Sequence, residues 1–249
     1  DPRNILVVRR GSQAESGSIV SRDHFRTIQD LDGIAADADG KPIVSAELVL
    51  IVSAPRPGGM GEANMLIRGI TPKGMELRPQ VRLIDGRWFQ PGQREVVVAR
   101  RLANRFQGLE IGGTLKAGQE KLSVVGHFDG QRSAFDSEAW TDADEARALF
   151  GRENYSSILL RPSDAQSARS ITERIESDKR LTLRAEPEQQ YYSKQTTTAV
   201  PIKILASIMS IAMSIGAVFA AMNTMYASVA SRTREVGTLR VLGFSRTAV

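Results

Sequence analysis

The feature that most constrains this chain is an uninterrupted run of uncharged residues near its carboxyl end. From Ile204 to Ala230, 27 consecutive residues carry no charged side chain. A helix of that length reaches ~40 Å at ~1.5 Å per residue, more than the ~30 Å hydrocarbon core of a bilayer. The alternative is a buried helix of a water-soluble protein, but such helices are usually shorter and carry an exposed polar stripe. The run therefore predicts one transmembrane helix.

This predicted helix has two unlike faces. Large apolar residues recur at alternating steps of four and three from Ile204 to Val229, so they share one face. Small residues follow the same steps on the opposite face, and they form the predicted helix-packing face: Ser210, Ser214, Ala217, Ala221, Thr224 and Ser228. In lipid, small residues allow another helix to approach closely. The alternative is a lone anchor whose small residues have no such role.

Charge is distributed unevenly along the 249 residues. The chain has 33 basic and 28 acidic residues, and residues 1–201 are almost neutral. With only 6% aromatic residues as well, the chain lacks the basic, aromatic-rich surface of a nucleic-acid-binding protein, and we expect no nucleic-acid partner. Four arginines follow the apolar run and two lysines precede it: Arg232, Arg234, Arg240 and Arg246, against Lys194 and Lys203. This difference favours a cytoplasmic carboxyl end, with membrane lipids as neighbours.

Residues 1 to about 190 are then expected outside the cytoplasm. Short β-like runs separated by Gly, Pro and Asp turns are predicted at Ile5–Val8, Ala46–Val52, Asn64–Ile70, Val81–Ile84, Glu95–Ala99, Leu122–Phe128, Ser156–Leu160 and Leu181–Arg184. Helices are predicted at Arg100–Phe106, at Asp142–Phe150 behind an N-cap at Thr141, and at 163–177 with Gln166 in a capping-box position. The last helix lies between two strands as a β-α-β unit. The predicted fold class is an α+β extracytoplasmic domain, then one transmembrane helix and a short cytoplasmic amphipathic helix.

Residues suited to catalysis or metal binding are scarce. The chain has no cysteine. Its two histidines, His24 and His127, do not belong to any recognisable catalytic motif, so structural roles are favoured for both. The phosphate-binding Gly-x-x-x-x-Gly-Lys-Ser/Thr motif is absent. The acidic stretch from Asp136 to Glu145 lacks calcium-loop spacing, so carboxylates at a helix start are favoured over a cation site. Gly58–Gly61 is interpreted as a hairpin tip rather than a ligand loop. We therefore expect no enzyme activity, no cofactor and no metal.

The segment after the apolar run predicts a short basic amphipathic helix. Val236, Leu239 and Leu242 step by three and form one apolar side. Such a helix could lie on anionic headgroups or dock on a protein, and the residues alone favour neither alternative.

Several motifs resemble those of one family. The stretch Arg234–Gly243, with the preceding Asn223–Tyr226, resembles the motif after the second transmembrane helix of FtsX-like ABC transporter permeases. Upstream, Gly61–Asn64, Asp85–Phe89 and Glu95–Val98 resemble the MacB-like periplasmic core domain of such permeases. The common form of the cytoplasmic motif has Ile and Ala at the two positions that are Val236 and Val241 here.

The resemblance implies a function and a set of partners. Such permeases are dimeric membrane subunits of the bacterial inner membrane that work with an ABC-type ATPase, so a second permease protomer is expected. It implies a periplasmic core domain over 1–190, a stalk and transmembrane helix over 191–230, and a cytoplasmic coupling segment over 231–249. Carried over by position, the residues expected to dock on the ATPase are Arg234, Glu235, Gly237, Leu239, Arg240 and Gly243. The chain would be a fragment lacking the other transmembrane helices.

The leading hypothesis is thus a permease subunit that couples ATP hydrolysis to motion of its periplasmic domain. The expected substrate is a lipid, lipoprotein, peptide or drug-like molecule, for export or extraction. One rival is a membrane-tethered extracytoplasmic sensor or binding domain that signals through a single helix. Another is a periplasmic chaperone with a simple anchor.

Overall fold

In the computed structural model, residues 2–245 are described, without the side chains of 195–203. The chain divides into two compact units, Asp1–Ser193 and Lys194–Val249. Arg246, which contributes to the predicted basic flank, and the rest of the predicted coupling segment beyond Ser245 lie outside the described residues.

The secondary structure of the described residues alternates strands and helices. The strands are β1 Ile5–Arg9, β2 Val44–Pro55, β3 Glu62–Ile70, β4 Arg82–Gly86, β5 Glu95–Ala99, β6 Thr114–Ala117, β7 Glu120–Asp129, β8 Glu138–Asp142, β9 Ser157–Leu160 and β10 Leu183–Pro187. The helices are α1 Arg22–Gln29, α2 Pro72–Glu76, α3 Arg100–Ala103, α4 Ala143–Leu149, α5 Ala165–Ser177, α6 Glu188–Ser231 and α7 Thr233–Val241. Short 3₁₀ turns lie at Glu15–Gly17, Pro57–Gly59 and Ala134–Ser137.

The strands of the first unit form one mixed sheet. Among the described residues its order is β10-β1-β9-β2-β3-β8-β5-β7-β4, and β6 pairs with β7. Within the part of the chain that the structure describes, only the β3–β8 and β5–β7 pairs are parallel. The long strand β2 joins the two halves, because residues 44–47 pair with β9 and residues 48–55 pair with β3.

The predicted β-α-β unit is confirmed. β9 and β10 both pair antiparallel with β1, so they run in the same direction on either side of it. α5 connects them, and its Ile171 and Ile175 are fully buried in one hydrophobic cluster with Ile5 and Val7. The α+β class follows directly from this crossover.

Strand β1 is covered on both faces, which explains its almost continuous burial. Ile5 and Val7 face the cluster beneath α5, whereas Leu6 and Val8 lie in a different cluster with Tyr191 of α6. Because successive side chains of a strand point to opposite faces, a single apolar strand meets two separate layers. The first turns of α6 therefore form part of the core of the first unit.

Two predicted helix starts are wrong by one or two residues. α4 is capped by Asp142 rather than Thr141, since an Asp142 carboxylate oxygen accepts the backbone N–H groups of Asp144 and Glu145. α5 is capped by Asp164, which accepts the N–H of Gln166 at 2.8 Å, so Gln166 does not complete a capping box. An ionised carboxylate accepts two N–H groups of a first turn more strongly than a hydroxyl does.

Four short elements were not predicted: β6, β8, α1 and α2. β8 has the sequence Glu-Ala-Trp-Thr-Asp, and its acidic residues disfavour a strand. It is nevertheless fully buried, because Glu138 is neutralised by an arginine from the neighbouring strand. The predicted helix at Arg100–Phe106 is shorter than expected and ends at Ala103.

The second unit contains most of α6, then α7. The apolar run is helical as predicted, and Ile204–Ser231 is the single described helix segment long and apolar enough to cross a membrane. Arg232, with φ −100° and ψ 8°, separates α6 from α7. The short helix predicted after the run is thus confirmed at Thr233–Val241.

Candidate functional site: a buried ionic cluster at the start of the long helix

The most unusual feature of the first unit is a group of charged side chains inside its core. We define this buried ionic cluster, among the described residues, as Glu15, Glu47, Arg68, Arg78, Glu138 and Glu188. None of the six is more than 5% exposed. Charged residues are almost never buried so completely unless they are paired.

Arg68 lies at the centre of the buried ionic cluster. It projects from β3, and its Nε and Nη2 donate to the two carboxylate oxygens of Glu138 on β8, each at 2.8 Å. Its Nη1 donates to Glu47 on β2 at 2.8 Å and to Glu15 at 3.0 Å. One guanidinium thus binds three carboxylates, and its planar fork matches the bidentate geometry at Glu138.

Arg78 connects this centre to the long helix. Its Nη1 and Nη2 donate to the two carboxylate oxygens of Glu47, the second at 2.8 Å. Its Nε lies 3.4 Å from a carboxylate oxygen of Glu188, the first residue of α6. Asn4 also binds Glu188, donating from Nδ2 to Oε2 at 2.9 Å, and its backbone oxygen accepts the Glu188 N–H.

The second turn of α6 adds a phenol to the buried ionic cluster. The Tyr192 hydroxyl donates to Glu15 at 2.9 Å and accepts from Nη2 of Arg68 at 3.3 Å. Its ring meets Phe135 edge to face at 5.8 Å. The adjacent Tyr191 is 3% exposed and packs in the apolar cluster with Leu6. Both tyrosines precede the apolar run, and they belong to the core of the first unit.

The electrostatics of the buried ionic cluster favour the charged forms of Glu15 and Arg68. Burial by itself raises the pKa of Glu15, but the charge and hydrogen bonds of Arg68, together with Ser157, lower that pKa to about 2. Burial lowers the pKa of the Arg68 guanidinium, and the opposing charges of Glu138 and Glu15 raise it well above its usual value. Burial raises the pKa of Tyr192, which therefore keeps its proton and donates.

Chemically, this arrangement is suited to holding segments together. Six separated parts of the chain each contribute one side chain: the turn at Glu15, β2, β3, the segment after α2 that carries Arg78, β8 and α6. Among residues 2–245, no group of three or more His, Asp or Glu side chains is arranged to hold a metal ion. The carboxylates are occupied by arginine partners, so the cluster binds the start of α6 to the sheet.

The acidic stretch noted in the sequence is divided among unrelated roles. Asp136 accepts the backbone N–H of Gly130, Glu138 binds Arg68, and Asp142 caps α4. The interpretation as helix-start carboxylates is therefore right for the cap Asp142 and for Asp144 and Glu145 in the first turn of α4, and wrong for Glu138, which lies on β8. Gly58–Gly61 lies at the tip of the β2–β3 hairpin, as predicted.

The predicted docking residues lie together on α7 and at its end. The side chain of Leu239 is 41% exposed, and that of the neighbouring Leu242 is 70% exposed. Gly243, at φ +95°, ends the helix: its N–H bonds to the carbonyl of Arg240, and that of Phe244 bonds to the carbonyl of Leu239. This is the Schellman arrangement, which favours glycine at the left-handed position.

The predicted helix-packing residues are all on α6 and all exposed within the described residues. The hydroxyls of Ser214 and Thr224 donate to backbone carbonyls four residues earlier, those of Ser210 and Ala220. These polar side chains are therefore satisfied within their own helix, and the face that they form is small and apolar in character.

The buried ionic cluster does not follow from the sequence patterns described above. A signal was present, because Glu47 lies inside the apolar run Val44–Val52 and Arg68 inside Met65–Ile70, where a charge interrupts a buried strand. What sequence could not show is that β2 and β3 pair in a register that brings these charges together with β8.

Comparison with known structures identifies the fold. The chain is similar to the extracellular domain of the noncanonic ABC-type transporter YknZ from Gram-positive bacteria, at 17% identity and a TM-score of 0.57, over 74% of this chain and 99% of that domain. It is similar to the periplasmic region of MacB from Actinobacillus actinomycetemcomitans, at 13% identity and a TM-score of 0.56, over 79% of this chain and 92% of that region. No protein-family model matches the chain, and no curated protein matches its sequence. The MacB-like periplasmic fold expected from the sequence motifs is thus confirmed.

Proposed function

We propose that the chain is part of a permease subunit of an ABC transporter. The observation that carries this proposal is the combination of two features in one chain. The first unit has the fold of the YknZ and MacB extracytoplasmic domains, and it is followed by a helix segment, Ile204–Ser231, that is long and apolar enough to span a membrane. Fold alone does not define function. The permease proposal therefore also needs support from the apolar helix segment and from the arginine-bearing residues that follow it.

The proposed location is the bacterial inner membrane. The uncharged run would lie in lipid, with the arginine-bearing tail on the cytoplasmic side and residues 1–190 in the periplasm or outside. Residues 191–230 would form the stalk and the transmembrane helix, and residues 231–249 the cytoplasmic coupling segment. Large extracytoplasmic domains are compatible with this orientation, because long segments cross membranes largely regardless of charge.

The proposed contact with the ATPase is the apolar side of α7. Leu239 is exposed on this short helix, and Leu242 and Phe244 are exposed directly after it. Three large exposed apolar side chains on α7 and at its end favour a protein groove as their binding partner. Arg234 and Arg240 would pair with acidic groups at the edge of that groove, where charges direct association.

The proposed second partner is another permease protomer. The small face of α6, described above from Ser210 to Ser228, would allow close approach of a neighbouring helix in lipid. Without such a helix the Ser214 and Thr224 hydroxyls remain bonded to the backbone of their own helix, which is stable in lipid but gives no specificity for a partner.

The proposed mechanism is transmission of motion through α6. Closure of the ATPase would displace α7 and the transmembrane part of α6. The first turns of α6 are bound in the folded domain by Glu188, Tyr191 and Tyr192. A helix fixed by buried ion pairs passes a displacement to the sheet, whereas a flexible linker would absorb it. The substrate that this motion would export or extract is a lipid, lipoprotein, peptide or drug-like molecule.

The experiment that tests this proposal compares two substitutions on α7 in the full-length protein. Leu239→Glu places a charge on the apolar side, and Val241→Glu places the same charge about 200° away around the helix, at an 89% exposed position. We expect Leu239→Glu to lower co-purification of the ATPase and its stimulated ATP hydrolysis, and Val241→Glu to change neither. Equal behaviour of the two variants, with both inserted in the membrane, would refute docking through this side.

A further inference from the structure

A second region of the first unit combines a cleft with concentrated positive charge. The cleft has a volume of about 790 Å³ and lies between the first turn of α1 and the segment that connects α4 to β9. It is separate from the buried ionic cluster and shares no residue with it. We define its basic lining, among the described residues, as Arg22, Arg26, Arg147 and Arg152.

The charge balance of this basic cleft is positive. Its four arginines face two carboxylates in the lining, Asp23 and Glu153. Asp23 is engaged by Arg26 at 3.5 Å, and both side chains of that pair are largely exposed. Arg22 and Arg152 are exposed, so their side chains can turn toward a bound anion.

Arg147 is the residue that distinguishes this cleft from an ordinary basic surface. It lines the cleft although it is only 6% exposed, and its guanidinium carbon lies 4.9 Å above the ring of Tyr155. Its Nη1 donates to Asp144 at 2.8 Å. Its Nε is buried and has no hydrogen-bond partner within the described part of the chain. A buried donor left in this state destabilises the protein, and an acceptor oxygen would remove that cost.

The backbone of α1 adds to the positive potential. Ser21 caps this eight-residue helix by accepting the N–H of His24 at 3.1 Å, and Ser21 itself lines the cleft. The amino end of a helix carries a partial positive charge that favours anions. Arg147 and the α1 amino end therefore act on the same space from two sides.

We propose that the basic cleft binds a phosphate group. Several arginines around one cavity suit a phosphate better than a single carboxylate, because a phosphate offers at least three acceptor oxygens to their forked donors. The phosphate could belong to a phospholipid headgroup or to a free, water-soluble phosphate compound, and the two sources share the same recognition chemistry. This inference concerns the first unit alone and does not depend on the proposed transporter function.

The test is calorimetric titration of the purified full-length protein with two probes. One probe is inorganic phosphate, and the other is a short-chain phosphatidic acid used below its micellar concentration. The variant Arg22→Gln/Arg26→Gln removes two exposed cleft charges, and Arg147→Lys keeps charge while removing the Nε donor. The matched control is Arg100→Gln, which removes an exposed arginine, paired with Asp85 at 3.3 Å, that does not line the cleft.

We expect binding of at least one probe, weakened about tenfold or more by each cleft variant and unchanged in Arg100→Gln. Binding of phosphatidic acid alone identifies a lipid headgroup as the source, and competition by inorganic phosphate identifies a free phosphate. No binding of either probe, or equal weakening by Arg100→Gln, would overturn the proposal. Because Arg22 and Arg26 are exposed, their variant keeps the test decisive even when Arg147→Lys lowers the melting temperature.

Discussion

Arg68 and Glu138 form a bidentate ion pair, with two hydrogen bonds of 2.8 Å, although neither side chain is more than 3% exposed. The pair joins β3 to β8, one of the two parallel strand pairs of the sheet. In most proteins a position between buried strands is occupied by an apolar residue. Here that position holds Arg68, whose guanidinium also donates to the hydroxyl of Tyr192 in the first turns of α6.

The first prediction concerns removal of the central charge. Arg68→Met should lower the free energy of unfolding by about 3–5 kcal/mol, because it leaves the carboxylates of the buried ionic cluster without their main partner. Denaturant titration of the first unit within the purified protein measures this loss. Arg174→Gln, which breaks an exposed pair with Asp32, serves as the control and should cost less than about 1 kcal/mol. A similar cost for both variants would contradict the role assigned to burial.

The second prediction concerns acid stability. The pKa of Glu15 is about 2 in the folded protein, below its ordinary value of 4.5. The unfolded chain therefore binds this proton more readily, so the stability contributed by ionised Glu15 is complete above about pH 4.5 and is lost as pH falls toward about 2. Melting temperatures between pH 5 and pH 2.5 should fall less steeply in Glu15→Gln than in the original chain. Glu173→Gln, at an exposed position, is the control and should leave the pH dependence of the melting temperature unchanged. If the melting temperature fell equally steeply in all three proteins, Glu15 would not be a source of the acid sensitivity.

The third prediction concerns the attachment of α6. Tyr192→Phe keeps the ring against Phe135 but removes the hydroxyl that binds Glu15 and Arg68. We expect a loss of about 1.5–3 kcal/mol in the stability of the first unit and a lower stimulated ATPase rate in the assembled transporter. Tyr226→Phe, at a 68% exposed position on α6, should change neither quantity. A destabilised Tyr192→Phe protein with full coupling would show that this contact is structural only.

The fourth prediction separates docking from helix stability at Gly237. A methyl group at this position meets nothing within 4 Å, and Gly237 lies inside α7. Gly237→Ala should therefore stabilise the helix by about 1 kcal/mol, measured as slower amide exchange. Reduced ATPase binding by this variant would then report a partner packed against Gly237. Gly243 is unsuitable for this purpose, since its φ of +95° strains any substituted side chain.

The sequence predicts the features that arise from residues close together in the chain, and it does not predict those that depend on contacts between distant segments. The helical apolar run, the short helix α7 and the β-α-β crossover follow from local periodicity, and all three are confirmed. The docking side of α7 and the small face of α6 stay predictions, because no partner is present to test them. The buried ionic cluster was missed since Glu15, Arg68 and Glu188 are far apart in the chain, and only the folded register brings them together.

The most direct test of the central claim uses the absence of cysteine from the sequence. In a full-length protein from which any cysteine outside residues 1–249 has been removed, Leu239→Cys supplies a single crosslinking site in intact membranes. Val241→Cys is the control on the opposite side of α7. The account predicts a covalent adduct between position 239 and the ABC-type ATPase, with little from position 241. No adduct from position 239, or its labelling by a membrane-impermeant maleimide added outside the cell, would contradict the account.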